Sequence, residues 1–104
     1  MPIWIHFEFM WIPSAFGGNK GTPYPNMRTE IGWQRHLGEL QEFTIDIQWV
    51  QFDYDETTRQ GYAKCSFGSH HQLPEARLKP DQLIIILNGP RILAIGRIVE
   101  ERRT

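Results

Sequence analysis

The sequence predicts an all-β domain, a small six-stranded antiparallel barrel of Greek-key type. Three observations carry that expectation. Apolar and polar residues alternate with a period of two over 3–12 and again over 42–52, the spacing of half-buried strands. Residues 83–99 join two apolar, β-branched runs through Asn88-Gly89-Pro90, which is hairpin punctuation. No stretch shows the 3.6-residue period of an amphipathic helix. With about six strands in a short chain, closing the sheet into a barrel leaves the fewest unpaired edges.

Residues 3–12 place Ile3, Ile5, Phe7, Phe9 and Trp11 on one face and Trp4, His6, Glu8, Met10 and Ile12 on the other. They form the first predicted strand, and Pro13 ends it. Residues 13–26 (PSAFGGNKGTPYPN) hold three prolines among clustered Gly and Asn, so they read as a loop. Its length in so small a domain points to a functional role. Residues 27–34 are a second strand in which Gly32 marks a bulge or a close approach. Residues 37–40 are ambiguous. In the strand over 42–52, Phe43, Ile45, Ile47 and Trp49 alternate with Thr44, Asp46 and Gln48.

Residues 53–61 (DYDETTRQG) read as a polar turn, and 62–67 as a shorter strand with Ala63, Cys65 and Phe67 on one face. Residues 68–82 carry Gly68, Pro74 and Pro80 and are mostly loop, with room for one helical turn over 73–78. Residues 83–87 are apolar at every position, the pattern of a strand covered on both faces. A two-residue Asn-Gly loop would need residue 90 to donate a hydrogen bond, and Pro90 has no N–H. A loop of three or four residues, from Asn88 to Arg91, is therefore expected. Residues 92–99 form the last strand, with Gly96 suggesting a bulge.

A chain of 104 residues makes one domain and buries roughly 65% of its unfolded surface. Its 40% hydrophobic content and four Trp are ample for a core. The formal charge of −1 sets up no global field for nucleic acid or an anionic membrane. The distribution is uneven. Residues 30–59 carry seven acids against Arg35 and Arg59, whereas residues 77–104 carry six bases against Asp81, Glu100 and Glu101. Separated in space, these segments make a dipolar molecule with a basic contact patch. The single cysteine, Cys65, allows no intrachain disulfide and implies a reducing, cytoplasmic setting. The N-terminus lacks a basic n-region, and His6 and Glu8 interrupt its apolar pattern. Neither a signal peptide nor a membrane span is expected.

Candidate chemistry is sparse. His6, His36, His70, His71 and Cys65 lack the paired spacings of a zinc site, so no metal is assigned. Cys65 falls on the apolar face of its strand, where a thiol is unreactive. Asp53 with Asp55 and Glu100 with Glu101 lie in a turn and near a terminus, where solvation keeps carboxyls ordinary. Gly17-Gly18-Asn19-Lys20-Gly21-Thr22 superficially resembles a phosphate loop, but its residue order is wrong and no helix follows. Trp4, Trp11, Trp33 and Trp49 read mainly as core. Tyr24, between Pro23 and Pro25, is the aromatic expected to be exposed or to pin the loop. No cofactor is expected.

Two of these stretches together resemble the C-terminal β-barrel domain of elongation factor Tu and related translational GTPases. That family opens with an alternating strand, followed by a Gly-Gly-Arg-x-x-Pro motif and a Tyr-Arg-Pro stretch. It closes with an Arg-x-Gly-Gly-Arg-x-Val-Gly-x-Gly-x-Val hairpin. Here the strand through Ile12 runs into Gly17-Gly18-Asn19-Lys20-Gly21-Thr22-Pro23, then Tyr24 and Arg28. Gly89, Arg91 and Gly96 fall where the family hairpin has Gly, Arg and Gly. Asn19 replaces the first motif arginine, Pro25-Asn26-Met27 separate Tyr24 from Arg28, and Ala94 replaces a hairpin glycine.

The resemblance implies a six-stranded barrel without its GTPase domain and, with no P-loop, no GTP hydrolysis. In the family this domain contacts the T-arm of aminoacyl-tRNA and partner proteins, partly through the closing hairpin. Carried over, that points to Gly89 and Arg91, with Tyr24 and Arg28 matching the loop motif. Independently, Arg91, Arg97, Arg102 and Arg103 offer cations for phosphates beside an exposed glycine backbone. The expectation is a non-catalytic binding module. The acidic middle and net charge favour a protein partner, and the basic hairpin and tail make RNA the alternative. A third reading is a small enzyme with a pocket lined by residues 17–28, His70 and His71. Uncovered apolar surface would support self-association. Neither DNA nor a membrane is an expected partner.

Overall fold

A computed structural model describes residues 4–36, 45–67 and 78–100. Six strands form: β1 (Trp4–Trp11), β2 (Arg28–Trp33), β3 (Ile45–Asp55), β4 (Gln60–Phe67), β5 (Leu83–Asn88) and β6 (Arg91–Ile98). They close in the order β1-β4-β3-β2-β5-β6, with β6 paired back onto β1. Every neighbouring pair is antiparallel. The consecutive run β2–β3–β4 with β1 laid beside β4 is a Greek key. The expected all-β barrel is therefore the fold.

Alternation fills the barrel. Ile5, Phe7, Phe9 and Trp11 of β1 point inward with Ile31, Trp33, Ile45, Ile47, Ala63, Ile84, Ile86 and Ile98. Trp49 sits fully buried among them, with Phe7 and Phe9 edge-on at 5.4 and 5.1 Å between ring centroids, a preferred aromatic geometry. Its indole Nε1 donates to Thr29 Oγ1 at 3.0 Å, which satisfies the one buried polar side chain of the described core. Trp4 differs from the other three tryptophans. It faces outward and is 39% exposed, with the Lys64 ammonium 4.6 Å above its ring.

Several local expectations need correction. The polar segment 53–61 is not all turn, because β3 continues to Asp55. A bulge between Trp49 and Gln51 leaves Val50 unpaired and outward-facing. That extra residue re-phases the strand, so Phe52 and Tyr54 join Trp49 against the core while Asp53 and Asp55 face out. The turn proper is 56–59, where the Asp55 carboxylate accepts the Thr57 N–H at 2.8 Å. Residues 42–44, the start of the predicted strand, lie outside the described residues, as do 37–40 and 73–77.

The closing hairpin is tighter than expected. Asn88 pairs with Arg91, which leaves a two-residue loop of Gly89 and Pro90. Arg91 rather than Pro90 faces back across this turn, so the missing proline N–H costs nothing. Gly89 takes φ +61, and proline cannot take a positive φ. The primed turn with glycine first and proline second is thus the compatible one. The bulge of β6 is also displaced. It falls at Leu93, between the Ile86–Ala94 and Leu87–Ile92 pairs, and not at Gly96. Gly96 marks a close approach, since a Cβ there would stand 2.8 Å from the Glu8 carbonyl oxygen. Gly32 keeps regular pairing with Ile85. In β5, Ile84, Ile85 and Ile86 are all buried, but Leu83 and Leu87 at the ends are only half-buried.

Cys65 lies on the inner face and is fully buried. Desolvation raises its thiol far above the ordinary value of 9.0. Below that value both folded and unfolded chains keep the proton, and stability does not depend on this group. As pH rises past it, the unfolded chain loses a proton that the folded chain retains, so folding weakens progressively. In the native state Cys65 should stay unreacted with a thiol-disulfide reagent at pH 8, modified only at the global unfolding rate. Rapid modification of folded protein would contradict its burial.

Candidate functional site

Register brings one set of connections to a single end of the barrel. Trp11 stands opposite Ala94, Met10 opposite Gln60, and Gln60 opposite Asp55. The long loop after β1, the turn 56–59 and the turn at Gly89 and Pro90 therefore share that end. The loop crosses it to reach β2, and hydrogen bonds fasten it on the way. Ile12 N–H donates to the Leu93 carbonyl at 2.8 Å, and Asn26 N–H donates to the Trp49 carbonyl at 2.9 Å. From inside the barrel, the Trp11 indole donates to the Gly21 carbonyl at 2.8 Å.

That last bond ties a core residue to the surface segment. Trp11→Phe should keep the core filled while releasing residues 18–23. The expected result is a stability loss of about 1 kcal/mol, with amide exchange accelerated in this loop and unchanged in β3. Equal protection of the loop in both proteins would show that the indole bond does not hold it.

Just beyond, Ser14–Phe16 makes a single 3-10 turn that sets Phe16 on the surface at 82% exposure. Phe16, Ile12 and Gly17 face Pro90, Arg91 and Ile92 across a shallow groove of about 450 Å³. Ile92 is exposed there because the Leu93 bulge sends both Leu93 and Ala94 inward. Tyr24 is 56% exposed in the same loop.

Of the residues expected to bind, Gly89, Arg91, Tyr24 and Arg28 belong to this end. Arg28 opens β2 and shares a second cleft, of about 500 Å³, with Asn88, Gln48, Asp46 and Glu30 on the outer wall. Arg97 does not join them. It sits toward the far end of β6, and its guanidinium pairs with Glu8 at 3.1 Å and with Asp81 at 3.7 Å. Arg91 and Arg97 thus form no common cationic patch, and Arg102 and Arg103 lie outside the described residues.

Phe16 and Ile92 are the residues that sequence reasoning missed. Phe16 was legible as a large aromatic stranded between Pro13 and a Gly-Gly pair, with no alternating neighbours to bury it. Ile92 was not, because regular alternation would place it on the same face as Ala94.

The other candidate chemistry resolves into structure. The Asp53 carboxylate accepts the Tyr62 N–H at 3.1 Å. His6 Nδ1 lies 2.7 Å from the Tyr62 hydroxyl, with the two rings stacked at 6.1 Å. The Gly17–Thr22 segment leads into β2 rather than a helix, so it offers no helix N-terminus to a phosphate. Among the described residues no cluster of His, Cys, Asp and Glu is arranged to hold a metal, and no helix is long and apolar enough to cross a membrane. His70 and His71 lie outside the described residues. Compared with known proteins, the chain matches no family model and no curated protein.

Proposed function

We propose that this chain is a non-catalytic interaction module, related in type to the C-terminal barrel of elongation factor Tu, that engages a protein partner through its loop-and-hairpin end. One observation carries the reading: Phe16 and Ile92 are exposed on a groove whose backbone is hydrogen-bonded to the barrel, and Tyr24 is exposed in the same crossing loop. Isolated apolar side chains on a surface are ordinary, but three large ones on one rigid end suit a contact surface. A pre-formed backbone also lowers the ordering cost of association. The similarity of residues 17–28 and 88–99 to that family's loop and hairpin motifs supports the same end.

RNA is the second reading, favoured by Arg28 and Arg91 on either side of the exposed Gly89 turn. A photo-crosslinker at position 16, used in cells, and a salt titration of tRNA binding separate the two. The expected result is crosslinking to a discrete protein, lost when Arg91 is changed to Glu, with no retained tRNA at about 0.15 M salt. Steeply salt-dependent tRNA binding that weakens further in Arg91→Ala would replace the protein reading with the RNA one.

A further inference from the structure

Resting on the reading of this end as a protein-interaction surface, we infer that the groove between Phe16 and Ile92 takes a peptide segment in which an aromatic or large aliphatic anchor adjoins acidic residues. The groove has two chemistries. Its walls, Phe16 and Ile12 on one side and Pro90 and Ile92 on the other, offer an apolar seat for one anchor side chain, and such seats dominate interface energetics. Its rim is cationic. Arg91 is the charged residue that lines the groove, and Lys20 belongs to the crossing loop that forms its other wall. Neither makes an ion pair among the described residues, unlike Arg97 with its two carboxylate partners.

Of the acids toward this end, Glu30 and Asp46 stand beside Arg28 in the second cleft, and Asp55, at the end of β3, and Glu56 stand with Arg59 at the turn 56–59. That turn lies across β1 from the groove, since Arg59 accepts the Trp11 N–H on the side away from β6. The uncompensated charge beside the seat is therefore positive, and an acidic flank on the partner complements it. A nucleic acid could pair a phosphate with Arg91 and stack a base on Phe16, but the aliphatic wall of Ile12, Pro90 and Ile92 offers it neither charge nor hydrogen bonds, which favours a peptide.

The test uses the full chain, isotopically labelled, and four probes. One peptide carries a central Trp-Phe pair between flanking Asp residues. A twin has Lys flanks, a second twin has Gly-Gly at the centre, and the fourth probe is a uridine oligonucleotide. The Asp-flanked peptide should shift the amide resonances of Gly17, Arg91 and Ile92. It should bind about tenfold or more tightly than either twin. Arg91→Glu should remove that preference without changing the dispersion of the core resonances, and Phe16→Ala should weaken binding of both Trp-Phe peptides.

The inference is overturned if the Gly-Gly twin binds as well, or if no peptide shifts these resonances at about 1 mM. It also fails if the oligonucleotide binds most tightly at the same residues, and in that case the protein-interaction reading falls with it. If the Lys-flanked twin is preferred at the same groove, only the acidic assignment fails and the interaction surface stands.

Discussion

Trp49→Ala should be the most damaging truncation in the barrel, lowering the unfolding free energy by about 3–5 kcal/mol. That is a large part of the roughly 5–15 kcal/mol available to a domain of this size. The side chain is fully buried and contacts four rings: Phe7, Phe9 and Trp11 of β1 and Phe52 of its own strand. These neighbours belong to strands whose hydrogen bonds fix their spacing, so the cavity cannot collapse freely. Trp49→Phe separates packing from polarity. It preserves most of the ring area but removes the donor to Thr29 Oγ1, a hydroxyl that is only 5% exposed. The expected loss is about 1–3 kcal/mol. Adding Thr29→Val should recover part of it, because the orphaned hydroxyl is then gone. Denaturant unfolding followed by near-ultraviolet circular dichroism measures all three. Equal losses for Trp49→Phe and Trp49→Ala would show that the hydrogen bond, not the packing, dominates at this position.

The legibility of this fold in its sequence follows from what alternation encodes. Residues 4–11 face the core at every second position without interruption, so β1 could be read directly. In β3 the same rule holds only as far as Trp49. After the Val50 bulge the inward positions become Phe52 and Tyr54, and the acidic residues between them make a strand look like a turn. The Leu93 bulge hides the start of β6 in the same way. A bulge is chosen by cross-strand register, and a single strand's residue order does not contain its partner's. The groove inherits that limit. Its loop wall was visible as a Pro- and Gly-rich stretch of unusual length, and Arg91 through the hairpin motif. Ile92 and the separation of Arg91 from Arg97 depended on the bulge and on where β6 meets Glu8 and Asp81.

The two bulges also bear on the interaction surface. The Leu93 bulge turns Ile92 outward, and its carbonyl receives the Ile12 N–H that starts the crossing loop. The Val50 bulge seats Tyr54, whose ring lies 6.4 Å from that of Trp11, and Trp11 in turn holds Gly21. The groove therefore rests on core residues several positions away from it. Substitutions in the barrel interior can loosen the surface without touching it.

Gly61→Ala should show this coupling most sharply. Gly61 stands opposite Phe9 in β1 and Tyr54 in β3. A Cβ at this position would collide with the Asp53 carbonyl oxygen and come within 2.7 Å of the Phe9 ring Cζ. The missing side chain is what lets the Phe9 ring lie over the strand and stack nearly parallel on Tyr54, at 6.1 Å and 7°. A methyl group must displace either that ring or the β3 backbone, and steric overfilling of this kind costs about 3 kcal/mol, with more where backbone is the obstacle. Combining Gly61→Ala with Phe9→Leu distinguishes the two. Recovery of stability identifies the ring as the obstacle, and no recovery identifies the Asp53 carbonyl. Because β4 begins at the turn whose Arg59 carbonyl holds the Trp11 N–H at 2.7 Å, the strain should also spread to the groove. The Trp11 amide and residues 18–23 should exchange faster in Gly61→Ala, under conditions where the protein is still folded. An unfolding free energy within about 0.5 kcal/mol of the wild type, with unchanged exchange at Trp11, would mean that β3 and β4 separate freely at this position. The barrel end would then not depend on the close contact at Gly61.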